Sequence, residues 1–440
     1  MENKEKKPHV LLVIFPGQGH INPALQVAKR LLSMGIHVTF STSLGAERTM
    51  SKTCIPPSLS FASFSDGNDD AFKPVKNFED YIPSLRIHGS ESIREIINNS
   101  SFTCVAYSLL LPWVAMVARE FNLPSVLFWS QAATVFNIYY HYFNGFSDEL
   151  EKNISDSSFL FRFPGLPPLS SRDLPSFFSP SDTNKYAFSV LEEHLQMLDG
   201  EMNPTILVNT LDALESEALN SISKYKLLGI GPLVPCGSDA SVGGDLFKCP
   251  TSLFYIDWLN SKAEASVIYI SFGSITQVSE RQMEEMRRAL IESGHPFLWV
   301  IREKSMEKVE ENGVIVPWCN QLEVLSNPGI GCFISHCGWN STTESLSCGV
   351  PVVAFPQWTD QLTNAKLLQD CWKTGVRVNP NEDEMVEAQE IKRCLNMVMG
   401  NEEMRENAIK WKVSATNAFK EGGSSHKNLQ DFANSLFHNF

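Results

Sequence analysis

The sequence predicts an α/β protein built from two open, doubly wound domains, and three observations predict this. The chain has 440 residues, which is more than one hydrophobic core usually serves. Short apolar runs, typical of parallel strands buried on both faces, alternate with helical stripes in both halves of the chain. Over residues 236–252 the composition shifts to Gly, Ser, Pro and Asp without apolar periodicity. We therefore expect domains over 1–235 and 253–420, a linker over 236–252 and a separate C-terminal segment over 421–440.

The first domain is predicted to begin with a βαβ unit. The apolar run His9–Phe15 predicts a central strand, and a helical stripe after it ends at Gly35, before a second strand over His37–Thr42. A later helix is predicted over Trp113–Phe121. The remaining strands of this domain are predicted at Cys104–Leu110, Ser125–Trp129, Ile206–Asn209 and Lys226–Gly231.

The second domain repeats the alternation. Its strands are predicted at Ser266–Phe272, Pro296–Ile301, Val314–Pro317, Gly331–Ser335, Val350–Phe355 and Gly375–Val378. Helices are expected over about 280–292, from about Asn340, and near 361–372. Apolar residues at helical spacing predict a helical tail on both sides of the break at Gly422-Gly423. In such folds ligands bind at the carboxyl ends of the strands, and here we expect them in the cleft between the domains.

The composition narrows the possible functions. Hydrophobic residues make up 43% and charged residues 20%, an ordinary globular balance. The formal net charge of −14 disfavours nucleic acid and anionic membrane surfaces as partners. No apolar stretch reaches about 18 residues and the charged start lacks a signal-peptide core, so we expect a cytoplasmic protein without membrane insertion. The ten cysteines form no C-x-x-C pair, which favours free thiols over disulfides or zinc.

His20 is the first residue with a candidate chemical role. It lies directly after the first strand, where a doubly wound sheet binds ligands, and Gly17 and Gly19 allow a tight turn and a close ligand. A histidine with a pKa near its ordinary value of about 6.5 suits a general base. From position alone, a surface or capping histidine is equally compatible.

The stretch Ser335–Glu344 predicts an anion site. An apolar strand runs through Gly338 into a helix that opens with Asn340 and Ser341, so backbone N–H groups and His336 converge at a helix N-terminus. This would bind a diphosphate without Lys or Arg. The alternative is an ordinary Asn or Ser helix cap. Glu344 is either exposed or bonded to ribose hydroxyls.

Two flanking positions extend this cluster. Asp360 and Gln361 follow an apolar strand, and a carboxylate beside an amide can accept from and donate to the vicinal hydroxyls of a hexose. An Asp near a helix start is often only a cap. Trp318 also follows a predicted strand, and it either stacks on a base or fills the core.

Together these residues resemble the signature segment of plant family 1 UDP-glycosyltransferases. From Trp318 to Gln361 the chain shows W-x-N-Q, H-C-G-W-N-S-T, E and P-x-W-x-D-Q in the family's order and spacing. The resemblance extends over nearly the whole chain. Phe64–Gly67 and Leu109–Trp113 are most similar to the subgroup of anthocyanin 5-O- and crocetin glucosyltransferases. It implies the GT-B fold, in which two Rossmann-like domains face a cleft and the last helix, here Leu429–Phe437, returns to the N-terminal domain.

The resemblance also implies roles for individual residues. In the donor site Trp318 would stack on uracil, Cys319 would contact it through its backbone, and Gln321 and Glu344 would hold the ribose. The diphosphate would be bound by Ser274, His336, Asn340 and Ser341, and the sugar by Trp339, Asp360 and Gln361, with Ser130 near it. A terminal Gln is the form associated with glucose donors. Acceptor contacts in an apolar pocket are expected from Gly17, Tyr107, Trp129 and Phe136.

The implied reaction is inverting transfer of glucose from UDP-glucose to a hydroxyl or carboxyl of a small hydrophobic plant metabolite, such as a flavonoid, phenolic or apocarotenoid acid. His20 would be the base, and no metal is needed if the helix dipole and neutral donors stabilise the leaving UDP. Many relatives orient this histidine with an Asp, but Tyr107 stands at that position here, and a neutral phenol cannot stabilise an imidazolium. Either another acid approaches His20 or the acceptor is itself acidic. We favour a carboxylic acid or acidic phenol.

Competing interpretations stay open at this point. The alternatives are a donor with another sugar, such as galactose or xylose, and a non-catalytic small-molecule binding protein on the same fold. A serine hydrolase is disfavoured because no G-x-S-x-G motif occurs. The expected partners are a UDP-sugar and a small acceptor, and the protein is expected to be a monomer.

Overall fold

The computed structural model describes residues 7–51, 55–70, 78–180, 182, 186–234, 254–302, 308–310 and 312–437. The chain divides into two compact units. The first comprises residues 1–171, 177–246 and 418–440, and the second comprises residues 172–176 and 247–417. The predicted linker, 236–252, lies outside the described residues, so its boundaries stay a prediction.

The first unit is built on a seven-stranded parallel sheet. Its strands are β1 (His9–Val13), β2 (His37–Ser41), β3 (Ser60–Phe61), β4 (Cys104–Ser108), β5 (Ser125–Trp129), β6 (Thr205–Val208) and β7 (Lys226–Gly229). Its helices are α1 (Gln18–Ser33), α2 (Leu44–Thr49), α3 (Phe78–Asn98), α4 (Trp113–Glu120), α5 (Ala133–His141), α6 (Ser147–Asn153), α7 (Tyr186–Asp199) and α8 (Asp212–Ser221).

The strand order of this sheet, β3-β2-β1-β4-β5-β6-β7, reverses direction between β1 and β4. Helices cover both faces, which is why β4 and β5 are buried along their whole length and read as continuous apolar runs. A doubly wound sheet opens a crevice at such a reversal, outside the carboxyl ends of the two strands. The turn after β1, which leads to His20, begins at that crevice.

The second unit contains another seven-stranded sheet. Its strands are β8 (Val267–Ser271), β9 (Phe297–Val300), β10 (Lys308–Glu310), β11 (Gly313–Val316), β12 (Ile330–Ser335), β13 (Val352–Ala354) and β14 (Gly375–Arg377). Its helices are α9 (Phe254–Asn260), α10 (Glu280–Ser293), α11 (Gln321–Leu325), α12 (Trp339–Cys348), α13 (Gln361–Lys366), α14 (Ala388–Met399) and α15 (Glu402–Phe419), the last ending in the first unit.

This sheet has the order β10-β11-β9-β8-β12-β13-β14, and only the pairing of β10 with β11 is antiparallel. Side chains alternate between two cores, so Ile268 and Ile270 pack on one face while Val267 and Tyr269 pack on the other. The reversal of strand order lies between β8 and β12. Ser271 pairs with Ser335 there, which brings the carboxyl ends of the two strands side by side.

A final helix, α16 (Ser424–Ser435), packs in the first unit as the resemblance implied. Ser425 donates a hydrogen bond to the carbonyl of Gly231. Asn428 donates to the carbonyl of Gly229 at 2.9 Å and to the Asp212 carboxylate at 3.0 Å. Leu429 and Phe432 are fully buried. These contacts hold the helix against the edge strand β7.

All twelve predicted strands are present, with ends shifted by at most two residues. The sequence analysis did not predict the two-residue strand β3, the short edge strand β10, or the helices α2, α3, α5, α6, α7, α8, α9, α11 and α14. α3 carries Pro83 inside it and many charged residues, which weakens a helical pattern. Among the described residues every cysteine is a free thiol, and only Cys371 is exposed. No helix in the described ranges is long and apolar enough to cross a membrane.

Candidate functional site

The turn from β12 into α12 forms the centre of the second unit's site. Gly338 occupies the helix N-cap position, and no side chain of the described residues caps it there. Asn340 and Ser341 lie inside the first turn, so neither acts as the ordinary cap that the sequence left as an alternative. A helix N-terminus without a side-chain cap directs backbone N–H groups and a positive dipole end outward, which suits an anion.

His336 is fixed beside this turn by two glycines. A Cβ added at Gly273 or at Gly338 would come within 2.5 Å of the His336 imidazole. Gly273 also has a φ of 72°, and both features require glycine. Burial lowers the pKa of His336 to about 4, outweighing the hydrogen bond that the ring donates to the Ser271 backbone carbonyl, which raises it, while the charge of Arg302 lowers it further. The ring is therefore neutral at pH 7 and can offer a neutral N–H donor.

Arg302 modifies the expectation that this anion site has no cation. It follows β9, and its guanidinium donates to the backbone carbonyls of Ser274 and Thr276. These contacts shape the loop after β8 that carries Ser274, a predicted diphosphate ligand. The positive charge is close enough to His336 to affect the pKa of its ring. The site thus combines neutral hydrogen-bond donors with one arginine, which supports the loop that carries Ser274.

The predicted ribose ligands come together on α11 and α12. The Gln321 amide donates to the Glu344 carboxylate at 2.6 Å and to the Ser341 hydroxyl at 2.8 Å. Tyr269 donates to the Gln321 carbonyl oxygen at 3.2 Å. Its hydroxyl lies 3.4 Å from the thiol of Cys319, which is buried. Gln321 and Glu344, which are 23 positions apart in the sequence, thus belong to one polar network. Glu344 is partly exposed.

Asp360 and Gln361 lie at the start of α13 and are both buried. The Gln361 carbonyl oxygen accepts from the backbone N–H groups of Gln357 and Trp358, at 2.9 and 3.1 Å. The carbonyl oxygen is therefore occupied by the backbone of the loop before α13. The amide –NH2 is the group suited to donate to a sugar hydroxyl. Burial raises the pKa of the Asp360 carboxyl, opposed by hydrogen bonds from Asn364 and Thr359.

Asn364 joins the two halves of this site. Its amide nitrogen donates to the Asp360 carboxylate at 2.8 Å and to the carbonyl of Cys337 at 2.9 Å. Cys337 has a φ of 64°, an uncommon conformation for a residue with a side chain. One fully buried amide thus ties Asp360 to the turn before α12. The sequence analysis missed Asn364, although its place one helical turn after Asp360 was a usable signal.

The two predicted tryptophans differ in burial. Trp318 is partly exposed just beyond β11, which fits a stacking surface better than a core filler. Trp339 is only 4% exposed, and its ring centroid lies 6.1 Å from that of Trp372. Its side chain is therefore largely occupied by packing, and its backbone belongs to the first turn of α12.

In the first unit, His20 lies in the first turn of α1. Its ring is partly exposed, and its centroid is 5.2 Å from that of Phe15. Its Nδ1 atom is buried and has no hydrogen-bond partner among the described residues. Burial lowers the pKa of His20 to about 4, and no acidic side chain contributes to the shift. The ring is neutral at pH 7. Gly17 has an extended φ of −139°, so this turn does not require glycine there.

Tyr107 does not turn its ring towards solvent. It is 1% exposed, and its ring stacks on that of His194 at 5.8 Å with 9° between the planes. Burial raises the pKa of its phenol, with Glu201 adding to the effect, so the group stays neutral. The next residue, Ser108, accepts a hydrogen bond from the Phe15 backbone N–H at 2.9 Å.

The other predicted residues of the first unit lie around the start of α5. Ser130 is buried, and Trp129 and Phe136 pack edge to face with centroids 5.1 Å apart. Glu215, which the sequence analysis missed, accepts hydrogen bonds from the backbone N–H groups of Ala133 and Thr134, at 3.0 and 2.9 Å. It therefore caps α5 from 81 and 82 residues away along the chain, and only the fold reveals this. Ligand contacts of Ser130, Tyr107, Trp129 and Phe136 stay predictions.

Comparisons with known proteins agree with this geometry. The family model described as UDP-glucoronosyl and UDP-glucosyl transferase matches residues 242–415. The chain is 50% identical to the chloroplastic crocetin glucosyltransferase of Gardenia jasminoides, over 96% of each chain. It is 48% identical to anthocyanidin 3-O-glucoside 5-O-glucosyltransferase 1 of Perilla frutescens, over 96% of this chain and 97% of that one. Os79 from O. sativa, solved in complex with UDP, superimposes with a TM-score of 0.86 at 30% identity, covering 97% of this chain and 100% of that one.

Proposed function

Because the chain belongs to the plant family 1 UDP-glycosyltransferases, we propose that it transfers glucose from UDP-glucose to an acidic oxygen, a carboxylate or phenol, of a small hydrophobic plant metabolite. Membership confirms the resemblance predicted from the sequence, including its subgroup, and the protein is a UDP-glycosyltransferase. The acceptor, the attacked oxygen and the role of each side chain are the parts that we propose here.

One observation supports the proposed binding of UDP-glucose. The Gln321–Glu344–Ser341 network and the α12 N-terminus form one surface at the switch point of the second sheet. We assign the uracil to Trp318 and the Cys319 backbone, and the ribose hydroxyls to Glu344 and Gln321. A ribose diol can donate to a partly exposed carboxylate and accept from an amide.

The diphosphate then lies against the N-terminus of α12, with Ser274, His336, Asn340 and Ser341 around it. Neutral His336 donates an N–H, and the helix dipole stabilises the charge that develops as UDP leaves. The Asp360 carboxylate and the Gln361 amide bind the glucose hydroxyls, with Trp339 beneath them and Ser130 near the sugar. Since these donors stabilise the leaving group without a metal ion, we expect EDTA to leave the rate unchanged.

His20 acts on the acceptor as a general base. Its ring is neutral at pH 7 and can accept the proton of an acceptor hydroxyl while the oxygen attacks the anomeric carbon with inversion. Among the described residues no carboxylate bonds to its Nδ1 atom, so the imidazolium that forms has no carboxylate to stabilise it. Proton abstraction from a weakly acidic alcohol is therefore costly here. An acceptor that is already ionised needs no base at all.

This cost leads to the proposed acceptor class. A carboxylic acid is ionised at pH 7, and an acidic phenol is partly so. The relatives named for crocetin and for an anthocyanidin glucoside fit these two classes, a carboxylic acid and a polyphenol. The aromatic side chains of the first unit, including Phe15 and Phe136, would provide an apolar wall for a flat molecule.

The test is a screen in which the purified chain and UDP-glucose are incubated with matched acceptors of one skeleton, each bearing a carboxyl, a phenol or an aliphatic alcohol. Glucosides are detected by mass spectrometry and UDP release is measured alongside. We expect the carboxyl and phenol members to be glucosylated and the alcohol to react far more slowly. Faster transfer to the alcohol would refute the proposed acceptor class.

The same screen decides between the remaining alternatives. Replacing UDP-glucose with UDP-galactose or UDP-xylose tests another donor, which we expect to react more slowly because position 361 is Gln. A chain that binds UDP but releases none with any acceptor would be a binding protein. We also propose a monomer in the cytoplasm. Size-exclusion chromatography and localisation of a tagged chain test these two points, and the second is open because one relative is named chloroplastic.

A further inference from the structure

A five-residue segment, Arg172–Ser176, packs in the second unit although the chain on both sides of it belongs to the first. In the sequence it lies more than 180 residues before Asp360 and Gln361, the proposed sugar ligands. The segment begins inside a single turn of 3-10 helix, Ser171–Asp173, and contains one acidic residue, Asp173, which is only 5% exposed. A buried carboxylate at a segment this short requires specific partners.

Those partners are basic and hydroxyl groups around α13 and β14. Arg377, also buried, donates to the Asp173 carboxylate at 3.0 Å and to the backbone carbonyl of Arg172 at 2.7 Å. Lys366 approaches the same carboxylate at 3.8 Å. The hydroxyl of Thr363, which is fully buried in α13, donates to the Asp173 carbonyl at 2.7 Å. The segment is therefore attached to α13 along one turn of the helix.

Ser176 attaches the loop that precedes α13. Its backbone N–H donates to the Thr359 carbonyl, and its hydroxyl accepts from the Thr359 N–H, both at 2.9 Å. Thr359 has a φ of 57°, the left-handed region that β-branched residues rarely adopt. Both backbone polar groups of this strained residue are thus bound by a single serine. Such conformations persist where the surroundings hold them.

Thr359 directly precedes the two sugar ligands. Its hydroxyl donates to the Asp360 carboxylate at 2.9 Å, and the Gln361 carbonyl closes the same loop through Gln357 and Trp358. If Ser176 released Thr359, the backbone would relax out of the left-handed region. The carboxylate and the amide would then lose their fixed directions.

We propose that Ser176 and Asp173 are positioning residues for the donor sugar: they hold Thr359 and the start of α13 so that Asp360 and Gln361 face the glucose hydroxyls. This rests on the proposed role of Asp360 and Gln361. The hydrogen bonds that hold the segment run to Thr359, α13 and β14. Its effect should therefore fall on the sugar and spare the nucleotide.

The test is Ser176→Ala, which removes the hydroxyl that accepts from Thr359, measured by steady-state kinetics with UDP-glucose and by calorimetric binding of UDP. We expect kcat/KM to fall about tenfold, the factor expected for one lost hydrogen bond of ordinary strength, with the Kd for UDP changed less than about twofold. Ser176→Thr keeps the hydroxyl and should restore the rate. Ser171→Ala is the matched control, because Ser171 is a partly exposed serine beside the same segment, whereas the Thr359 N–H is bound by Ser176; it should leave both constants unchanged.

A second variant, Asp173→Asn, keeps the size of the side chain and removes its charge. It should reduce kcat/KM for UDP-glucose more than the affinity for UDP. The proposal is overturned if Ser176→Ala behaves like Ser171→Ala. It is also overturned if Ser176→Ala weakens UDP binding as much as it lowers kcat/KM, since that would mean general loss of structure.

A double-mutant comparison separates this inference from the proposed function. If Ser176 acts through the sugar pair, Ser176→Ala should cost less in a Gln361→Ala background than in the wild type. Should Gln361→Ala leave kcat/KM for UDP-glucose unchanged, the sugar-binding role fails and this inference fails with it. If Gln361→Ala lowers it and Ser176→Ala does not, only this inference fails.

Discussion

His20 and His336 lie in equivalent places, each just beyond a strand at the switch point of its own sheet, yet their surroundings differ. Burial lowers the pKa of each to about 4, and in each ring the Nδ1 atom is buried without a hydrogen bond to the described residues. His336 is confined by Gly273 and Gly338, where no Cβ fits. His20 packs beside the Phe15 ring, and a Cβ added at Gly17 would lie an ordinary 3.6 Å from the His20 ring.

The difference separates two uses of a neutral imidazole. A ring held by backbone on two sides keeps one orientation and suits a fixed donor to a diphosphate, because preorganised donors cost no reorganisation. A general base must accept a proton and become positively charged. His336 would carry that positive charge next to Arg302, which disfavours it. His20 has no nearby cation among its pKa determinants, so its protonation is opposed by burial alone.

Removing the base should give the largest effect. His20→Ala is expected to lower kcat with an alcohol acceptor by about 10²–10⁴-fold, the range typical of general-base catalysis. With the matched carboxylic acid the loss should be far smaller, because that oxygen carries no proton to remove. Initial rates with both acceptors at saturating UDP-glucose measure this.

An equal and complete loss on acid and alcohol would contradict the acidic-acceptor proposal and point to a role for His20 in binding. UDP affinity is the control, and it should not change, since His20 belongs to the first unit and the residues proposed to bind UDP to the second.

Breaking the confinement of His336 should give the next largest effect. Gly273→Ala places a Cβ within 2.5 Å of the ring at a φ of 72°. Gly294→Ala is the matched control, because Gly294 has a φ of 71° and nothing within 4 Å of its Cβ position. Both changes cost about 1–2 kcal/mol of backbone strain, and the difference between them reports the contact with His336.

We expect Gly273→Ala to weaken UDP binding by about tenfold or more, as the loss of a charge-assisted hydrogen bond would, and Gly294→Ala to leave it unchanged. Titration calorimetry on both variants measures the affinity, and their urea midpoints report the shared strain. Equal UDP affinities would show that the position of His336 does not matter for the diphosphate.

The same contrast explains how much of the molecule the sequence could predict. Strands buried on both faces give unbroken apolar runs, so β5 was predicted to the residue and the other long strands within a few residues. The residues proposed to bind the donor between Trp318 and Gln361 are local in sequence and follow strand ends, so their clustering could be expected. Glu215 and Ser176 could not be predicted, because each acts on a segment far along the chain. The confinement of His336 depends on Gly273, which belongs to a different strand's turn.

The pH dependence should give the smallest effect over the usual range, and it sharpens the comparison. A base works only when neutral, so kcat/KM with an alcohol acceptor should stay nearly flat from pH 8 to about 5 and fall as the pH drops through about 4.

The stability of the folded state depends on the protonation of His20 and His336 as well. The unfolded chain protonates its histidines near pH 6.5, while the folded His20 and His336 resist protonation down to about pH 4. The folded state therefore loses stability as the pH falls from about 6.5 to about 4 and keeps it above 6.5.

The rate profile must be read against the urea midpoint at each pH, so that unfolding is not mistaken for protonation of the base. An inflection near pH 6.5 or higher in the rate, at constant stability, would mean that water or a carboxylate reaches the His20 ring. In that case the argument for an acidic acceptor would lose its physical basis, because a stabilised imidazolium can serve an alcohol as well. A His336→Gln variant, which keeps an amide donor, should retain the low inflection, since that inflection belongs to His20.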